Sequence, residues 1–391
     1  MNNINNQFLF QNYIFIVGIW FSAFVGLLPE SINKLALYVV LPFLFLLTFL
    51  SHKTIRSNKY MNILSVLFIW ILFSVCWASN IQYATQQIHQ ILGSFLLCFI
   101  FSVKGDNEKN LPWLYFSFVI LLAGDWYYAY NDIFGVIDVG VDRLNDEKLN
   151  ANTMAYHTYY ATFAVFMLGE FRTKCNKLMR VFFFLMIPLS FITSMVTASR
   201  QVLIIQIPLI ILLLYGRYYR NKRKRQKCLV VLALFVIVAA FLPVVSRYYE
   251  GSTLQKRNEI EVKDDSRLLL ALDAIKVGNE NFPLGVGANN YIIYSYNKHF
   301  SHNTYTELYA NEGVVGVLLY MLLLGSFIKT QWQRYRETKD IIYFYLFVSG
   351  IIYAFDGFFY VFYPHLWLIS FLILISTHSE TYYKKNCLLN V

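Results

Sequence analysis

A short polar stretch before an apolar segment contains the residue types best suited to chemistry. It reads Ser-His-Asn-Thr-Tyr-Thr-Glu over residues 301–307. A histidine just outside a helix N-terminus meets the positive end of the helix dipole, which disfavours imidazolium and leaves a neutral ring available as a base. The unsatisfied N–H groups of the same helix start suit a phosphate. His302 is therefore a candidate general base beside an anion-binding helix start.

Glu307 has two interpretations. Thr304 and Glu307 are spaced as in a capping box, in which case Glu307 stabilises the helix start. Alternatively, Glu307 has a catalytic role at the same place. The spacing of these two residues leaves both alternatives open.

Two arginines are candidate anion ligands. Arg200 lies where one apolar segment follows another with almost no loop, so it is either a cation that reaches the membrane interface or a fixed charge in an outward cavity. Arg267 is either a solvated surface residue or a guanidinium aimed at an anionic ligand, whose bidentate geometry favours arginine over lysine.

Arg267 begins a predicted short amphipathic helix. Asp264 or Asp265 would cap it, and Gly278 lies where a C-terminal glycine is expected. The apolar stripe of this helix consists of Leu268, Leu272 and Ile275.

Other ionisable residues occur within apolar segments, namely Asp125, His157, Asp356 and His365. For each of them a hydrogen bond between helices is the favoured interpretation. No clear Asp-x-Asp pair accompanies a histidine cluster, and there is no phosphate-binding Gly-Lys loop, so neither a metal nor another cofactor is expected.

The elements that position these residues are membrane helices. Of the 391 residues, 57% are hydrophobic and only 14% are charged, which excludes an ordinary soluble protein. Long aliphatic runs without period-2 alternation predict helices rather than barrel strands. The predicted segments are Phe8–Leu28, Leu35–Leu50, Met61–Ala78, Ile88–Val103, Leu111–Tyr130, Thr153–Gly169, Val181–Ala198, Gln201–Gly216, Cys228–Val245, Tyr305–Ile328 and a final pair over Ile341–Ile375 that turns near Asp356.

The distribution of Lys and Arg predicts the topology. Alternate short connections and the C-terminal tail hold 22 of the 33 basic residues, and these residues share one side if about twelve helices have both termini in the cytoplasm. The net charge of +10 therefore reports membrane orientation rather than nucleic-acid binding. The prediction is an all-α polytopic membrane protein.

Residues 1–391 are expected to form a single integral membrane domain with two long connections on the extracytoplasmic side. The smaller one covers residues 131–152. The larger one, residues 246–301, lies between helices 9 and 10 and is large enough for a small subdomain. Long loops of this kind are exempt from the charge rule.

Several motifs in consistent order resemble those of the O-antigen ligase and O-antigen polymerase family. His302, Asn303 and Glu307 are followed by Glu-Gly-Val-Val-Gly at 312–316, and Arg267 is followed by Pro-Leu-Gly-Val-Gly at 283–287. Further matches are Ser-Arg at 199–200, and Arg143 followed by Asn-Ala-Asn at 150–152, where the family has Asn-Pro-Asn. The matches extend from Arg143 to Gly316, and the residues before 130 match only in being hydrophobic helices.

The resemblance implies a metal-independent, inverting glycosyltransferase of the bacterial cytoplasmic membrane that acts on its periplasmic or outer side. The donor would be an undecaprenyl-diphosphate-linked oligosaccharide and the acceptor a glycan. Carried over by position, Arg200 and Arg267 would bind the diphosphate and His302 would take the proton of the acceptor hydroxyl. The resemblance also makes Arg143, Asn152, Asn303, Glu307, Gly285 and Gly287 candidate substrate-binding residues.

Three functions are compatible with these features. A polymerase would extend polysaccharide from lipid-linked repeat units, with a chain-length regulator as a candidate partner alongside membrane lipids. A ligase would transfer the glycan to the sugar core of lipid A. A lipid-oligosaccharide flippase or other secondary transporter is the third, but two similar halves are typical of such transporters and no internal repeat is visible. The polymerase is the favoured prediction.

Overall fold

The computed structural model describes residues 2–24, 28–51, 58–128, 151–170, 205–216, 266–365 and 371–380, with scattered single positions between 181 and 255. All regular secondary structure in these ranges is helical. The all-α prediction is confirmed for this part of the chain.

Most helices follow the predicted apolar segments, but α4 begins seven residues before Ile88 and α10 continues ten residues beyond Ile328. The predicted segments Val181–Ala198 and Cys228–Val245 lie largely outside the described residues. They are α1 Asn2–Ala23, α2 Glu30–Ser51, α3 Lys59–Trp77, α4 Ile81–Lys104, α5 Leu111–Tyr128, α6 Ala151–Glu170, α7 Ile207–Leu214, α8 Ser266–Glu280, α9 Tyr291–Tyr294, α10 Thr304–Thr338 and α11 Ile341–Asp356. Residues 371–380 are also helical. The predicted turn near Asp356 is the end of α11.

Within the described ranges, four helices are both long and apolar enough to cross a membrane: α2, α3, α4 and α10. The helices α5 and α11 are apolar but shorter. These features are those of a membrane protein. The total of about twelve helices, the orientation and the two loop regions remain predictions.

Asn and Asp side chains define where several helices begin. Asn58 accepts a hydrogen bond from the backbone N–H of Tyr60 at 2.9 Å, and Asp340 accepts one from Ile342 at 3.0 Å. Asn80 does the same for Gln82. Each cap satisfies a backbone donor that the first helical turn leaves without a partner.

The helix α10 is the centre of the part that carries the predicted site. It packs against α3, α8 and α11, while α5 and α6 form a second closely packed pair. Large buried tyrosines fill much of the interior, among them Tyr156, Tyr160, Tyr320 and Tyr353. The described core is therefore rich in aromatic side chains that also carry a polar hydroxyl.

The structure corrects the predicted end of α8 and shows which side of this helix is buried. Its buried residues are Leu270, Ala274, Val277 and Gly278, whereas the predicted stripe of Leu268, Leu272 and Ile275 is exposed. Gly278 lies inside the helix, which continues to Glu280. A Cβ atom at Gly278 would be 2.4 Å from Cδ1 of Tyr309, so the glycine permits α8 to approach α10 instead of ending the helix. The predicted caps Asp264 and Asp265 lie outside the described residues.

Candidate active site

The start of α10 is capped by Asn303. Its side-chain oxygen accepts hydrogen bonds from the backbone N–H groups of Tyr305 at 2.9 Å and Thr306 at 3.2 Å. The predicted capping box, with Thr304 in the cap position, is therefore wrong by one residue. The physical reason is that Asn is as good a cap as Thr, and the Thr304 hydroxyl is used in a contact between segments.

Glu307 stabilises the turn that precedes this cap. Its carboxylate is buried and accepts hydrogen bonds from the backbone N–H of Ser301 at 2.6 Å and from the Asn311 amide at 3.3 Å. The hydroxyl of Ser301 in turn donates to the carbonyl of Asn303 at 2.9 Å. These contacts fit the helix-start interpretation of Glu307, and its role in substrate binding stays a prediction.

His302 lies in the middle of this turn, which comprises residues 301–303 and is called the His302 turn below. Its φ angle is +56°, a left-handed conformation that residues other than glycine adopt uncommonly. The half-buried ring packs against Phe300, with ring centroids 4.2 Å apart. The backbone of His302 keeps this strained conformation because contacts on both sides hold the turn. Backbone strain of this kind concentrates at functional sites.

Thr304 connects the His302 turn to the segment after α11. Its backbone N–H donates to the carbonyl of Gly357 at 2.8 Å. Its hydroxyl donates to the carbonyl of Tyr360 at 2.6 Å and accepts from the N–H of Phe362 at 2.8 Å. The His302 turn and the end of α11 are therefore at the same end of the helix bundle.

Arg267 reaches the same end from α8. The guanidinium is half-buried, and its charge interacts electrostatically with the carboxyl group of Asp356, the last residue of α11. Asp356 is fully buried and also accepts a hydrogen bond from the Tyr159 hydroxyl of α6. The hydrogen-bonding interpretation of Asp356 is thus confirmed. Since Asp356 precedes Gly357, the structure brings Arg267 and the His302 turn to one end of the protein.

Tyr291 holds the helix that carries Arg267. Its hydroxyl donates to the carbonyl of Leu270 and to the Asp273 carboxylate, both at 3.0 Å. Burial raises the pKa of Tyr291 above its usual range, so the hydroxyl stays protonated and remains a donor. The backbone N–H of Tyr291 donates to the side chain of Asn311 at 2.7 Å, which joins this anchor to α10.

The loop of residues 283–287 docks into a break in α10. Gly313 has φ +65° and ψ −163°, which interrupts the helix and redirects its backbone polar groups. The carbonyls of Ala310 and Asn311 accept from the N–H groups of residues 286 and 287, both at 2.8 Å, and the N–H of residue 314 donates to the carbonyl of Pro283 at 3.1 Å. The break in α10 is therefore satisfied by the docked loop.

Gly285 and Gly287 make this docking possible. Their φ angles are +72° and +91°. A Cβ atom at Gly285 would be 2.6 Å from the carbonyl oxygen of Asn311, and one at Gly287 would be 2.8 Å from that of Ser74. The structure shows a packing role for both glycines, and their contact with substrate stays a prediction.

Three predicted site residues lie wholly or partly outside the described part of the chain. Arg143 and Arg200 lie outside the described residues. Asn152 is in the first turn of α6, but its side chain also lies outside the described part. Tyr159 is about two turns further along the same helix, so Asn152 is on the side of the bundle at which α11 ends. No contact between Asn152 and the other candidates is described.

A second polar pair connects α5 and α6. Asp125 and His157 are both buried, and Oδ2 of Asp125 lies 2.5 Å from Nδ1 of His157, which confirms the predicted hydrogen bond between helices. The ring of His365 contacts that of Tyr360, with centroids 5.0 Å apart. Over the described ranges, His, Cys, Asp and Glu side chains form no cluster of three that could bind a metal ion.

Sequence reasoning missed two features of this site. One is the electrostatic interaction of Arg267 with Asp356, which is itself hydrogen-bonded to Tyr159, so that three helices distant in sequence meet. The other is the break in α10, although Gly313 in the middle of a predicted helix was a signal for it.

Comparison with known proteins identifies part of the chain. Residues 181–321 match the profile of a family described as O-antigen ligase. This segment includes Arg200, Arg267, the docked loop and the His302 turn, whereas Arg143 and Asn152 precede it. A search of curated proteins gives no match. Residues 181–321 are thus similar to the O-antigen ligase family, in agreement with the resemblance seen in the motifs.

Proposed function

We propose that this protein is a polysaccharide polymerase that joins undecaprenyl-diphosphate-linked repeat units on the extracytoplasmic side of the bacterial cytoplasmic membrane. The observation that carries the proposal is the grouping of Arg267 and the His302 turn at one end of a membrane helix bundle, inside the segment that matches the O-antigen ligase family. Its partners are membrane lipids, the lipid-linked donor, the glycan acceptor and a chain-length regulator.

The reaction is an inverting glycosyl transfer. The acceptor hydroxyl oxygen attacks the anomeric carbon of the donor sugar from the face opposite the diphosphate. The new carbon–oxygen bond forms as the bond from that carbon to the diphosphate oxygen breaks, and the diphosphate leaves with the electron pair. His302 takes the proton of the acceptor hydroxyl. The glycosyl–diphosphate linkage of the donor supplies the driving force, so the proposed reaction requires neither ATP nor a metal.

The leaving diphosphate develops negative charge, which the arginines stabilise. Arg267 presents several N–H donors in a planar fork that matches phosphate oxygens, and Arg200 supplies a second guanidinium. Asp356 is a positioning residue in this proposal, because its buried carboxylate interacts with Arg267 and is itself held by Tyr159. Preorganised charge at the leaving group is often the largest single contribution to such a rate.

The base assignment is tested by two histidine variants of the purified protein with a lipid-linked oligosaccharide. His302→Ala is expected to lower turnover by about two to four orders of magnitude, the usual contribution of a positioned base. His299→Ala is the matched control, since His299 is exposed three residues away. Retention of most of the rate in His302→Ala, or an equal loss in His299→Ala, would show that His302 is not the base.

A ligase is the second candidate, because the matching family is described as O-antigen ligase. The two functions share donor chemistry and differ in the acceptor. The deciding experiment offers the purified protein a lipid-linked repeat unit alone, and then with lipid A that carries a core oligosaccharide. A ladder of lengthened lipid-linked glycan in the first reaction supports the polymerase. Product that forms only in the second reaction supports the ligase, and no product in either contradicts both.

A further inference from the structure

The helix α8 is apolar on two nearly opposite sides. One side, which includes Leu270, Ala274 and Val277, is buried against the rest of the protein. The other carries Leu268 (42% exposed), Leu272 (53%) and Ile275 (39%). These three residues follow the i, i+4, i+7 spacing of a single helix face. A face of large aliphatic side chains in this arrangement indicates a contact with an apolar phase.

Apolar side chains are also exposed beyond the helix. Phe282 and Leu284 in the following loop are examples. Tyr296, further along the same segment, is 88% exposed. Aromatic side chains of this kind are enriched where a protein meets the headgroup region of a bilayer.

The depth of α8 follows from its contacts with α10. Tyr309 packs against Gly278 and donates its hydroxyl proton to Asn279 at 2.8 Å, and Ala310 belongs to the same small core as Ala274 and Val277. Ala310 is six residues into α10, about 9 Å along the helix from its start. These contacts lie along the side of α10 before its break at Gly313, rather than at its tip, so α8 is level with the first turns of α10.

The loop after α8 gives the same depth independently. Gly287 packs against Ser74 and Ala78 at the end of the membrane helix α3. The Asn290 side chain accepts hydrogen bonds from the N–H of Asn80 at 2.7 Å and from the hydroxyl of Ser79 at 3.0 Å. These residues connect α3 to α4, so the subdomain is level with the place where two candidate spans meet the aqueous phase.

We infer that the face of α8 formed by Leu268, Leu272 and Ile275 is embedded in the bilayer interface, in the leaflet next to the start of α10. The occupant is the lipid of that leaflet, because the opposite face of α8 packs laterally on a membrane helix and leaves this face directed away from the protein. The helix is thus an interfacial element that lies along the membrane surface without crossing it. On the proposed function, the same placement holds Arg267 at the depth of a lipid-linked diphosphate.

Spin-label accessibility tests this inference in the full chain. Single cysteines at Leu272, Ile275 and Lys276 carry a nitroxide, in a background where the five native cysteines are replaced by serine or alanine. The protein is reconstituted into vesicles of phosphatidylethanolamine and phosphatidylglycerol. Collision with oxygen reports the lipid phase, and collision with a water-soluble nickel chelate reports the aqueous phase. Lys276 is the matched control, because it is on the charged flank beside Glu280.

The inference requires that collisions with oxygen exceed those with the nickel chelate at positions 272 and 275, as at Leu322 on the exposed side of α10. At position 276, collisions with the nickel chelate should exceed those with oxygen. Nickel collisions at 272 and 275 equal to those at 276 would overturn it in favour of a water-exposed face. Low collision with both reagents would overturn it in favour of a second protein surface.

If the protein without its native cysteines does not fold, a photocrosslinking measurement tests the same inference. Benzophenone at position 272 of the otherwise native chain is expected to label vesicle lipid, whereas benzophenone at 276 is not. Equal or absent lipid labelling at 272 contradicts the inference. Neither measurement needs enzymatic turnover. Failure of this inference is therefore distinguishable from failure of the proposed glycosyl transfer.

Discussion

The break in α10 gives the sharpest test of how the site is held together, through Gly313→Ala. The φ and ψ angles of Gly313, +65° and −163°, belong to a region that is essentially restricted to glycine and costs other residues about 1–3 kcal/mol. The added methyl group would also be 2.0 Å from the carbonyl oxygen of Pro283. The variant must therefore move the docked loop of residues 283–287 or straighten α10.

The magnitude follows from the hydrogen bonds that hold the loop. Three backbone hydrogen bonds join it to the break, and each contributes about 0.5–1.5 kcal/mol net. Together with the backbone strain, the loss is on the order of 5 kcal/mol. Net stabilities of folded proteins are about 5–15 kcal/mol, so this single methyl group removes a large fraction.

The assay is thermal denaturation of the purified protein in detergent at one fixed heating rate, because unfolding of such proteins is often irreversible. We expect a clearly lower midpoint for Gly313→Ala and faster hydrogen exchange in residues 283–287. Gly325→Ala is the matched control in the same helix, since no atom lies within 4 Å of its added methyl group. It should leave stability unchanged or raise it by about 0.5–1 kcal/mol.

An equal midpoint and equal exchange in Gly313→Ala and the native protein would refute this reasoning. If Gly313→Ala does not insert, Gly285→Ala provides the second measurement. Its added methyl group would be 2.6 Å from the carbonyl oxygen of Asn311, at φ +72°, so a lower midpoint is again expected. A native midpoint for Gly285→Ala would have the same meaning as one for Gly313→Ala.

Three further predictions concern the arginine, the helix cap and the topology. Arg267→Ala should lower the rate of glycosyl transfer by about 10²–10³, as removal of one preorganised donor does. Arg267→Lys should recover only part of this rate, because a point charge lacks the bidentate fork. Native rates in both variants of a correctly inserted protein would contradict the diphosphate role. Asn303→Ala removes the cap of α10 and should destabilise the protein by about 0.5–2 kcal/mol, measured as a lower thermal midpoint; an unchanged midpoint would argue against the cap. An impermeant thiol reagent applied to intact cells should label single cysteines introduced in residues 131–152 or 246–301. It should not label cysteines introduced in residues 217–227, and labelling there would disprove the predicted orientation.

Local patterns determined the helices and the composition of the site. Hydrophobic runs of sufficient length predicted α2, α3, α4 and α10, because in a bilayer the chain must satisfy its backbone groups internally. The polar extensions of α4 and α10 beyond these runs were not predicted. The start of α10 was predicted to within one residue from the spacing of Thr304 and Glu307. That Asn303 caps the helix instead of Thr304 was decided by tertiary structure, because the hydroxyl of Thr304 is used by the segment after α11.

Sequence periodicity also identified the stripe of Leu268, Leu272 and Ile275, but not what the stripe contacts. In a membrane protein both the protein core and lipid accept aliphatic side chains, so the pattern is the same for either environment. Only the packing of Gly278 against Tyr309 shows which side of α8 is turned inward.

The electrostatic interaction between Arg267 and Asp356 was decided by the tertiary structure alone. These residues are on α8 and α11, and the Tyr159 that holds Asp356 comes from α6. No local pattern contains such a contact, because it depends on how three helices pack. The amino-acid sequence thus determined which residues are able to do chemistry, while helix packing decided which of them meet, since a charge in an apolar interior is stable only where another helix supplies its partner.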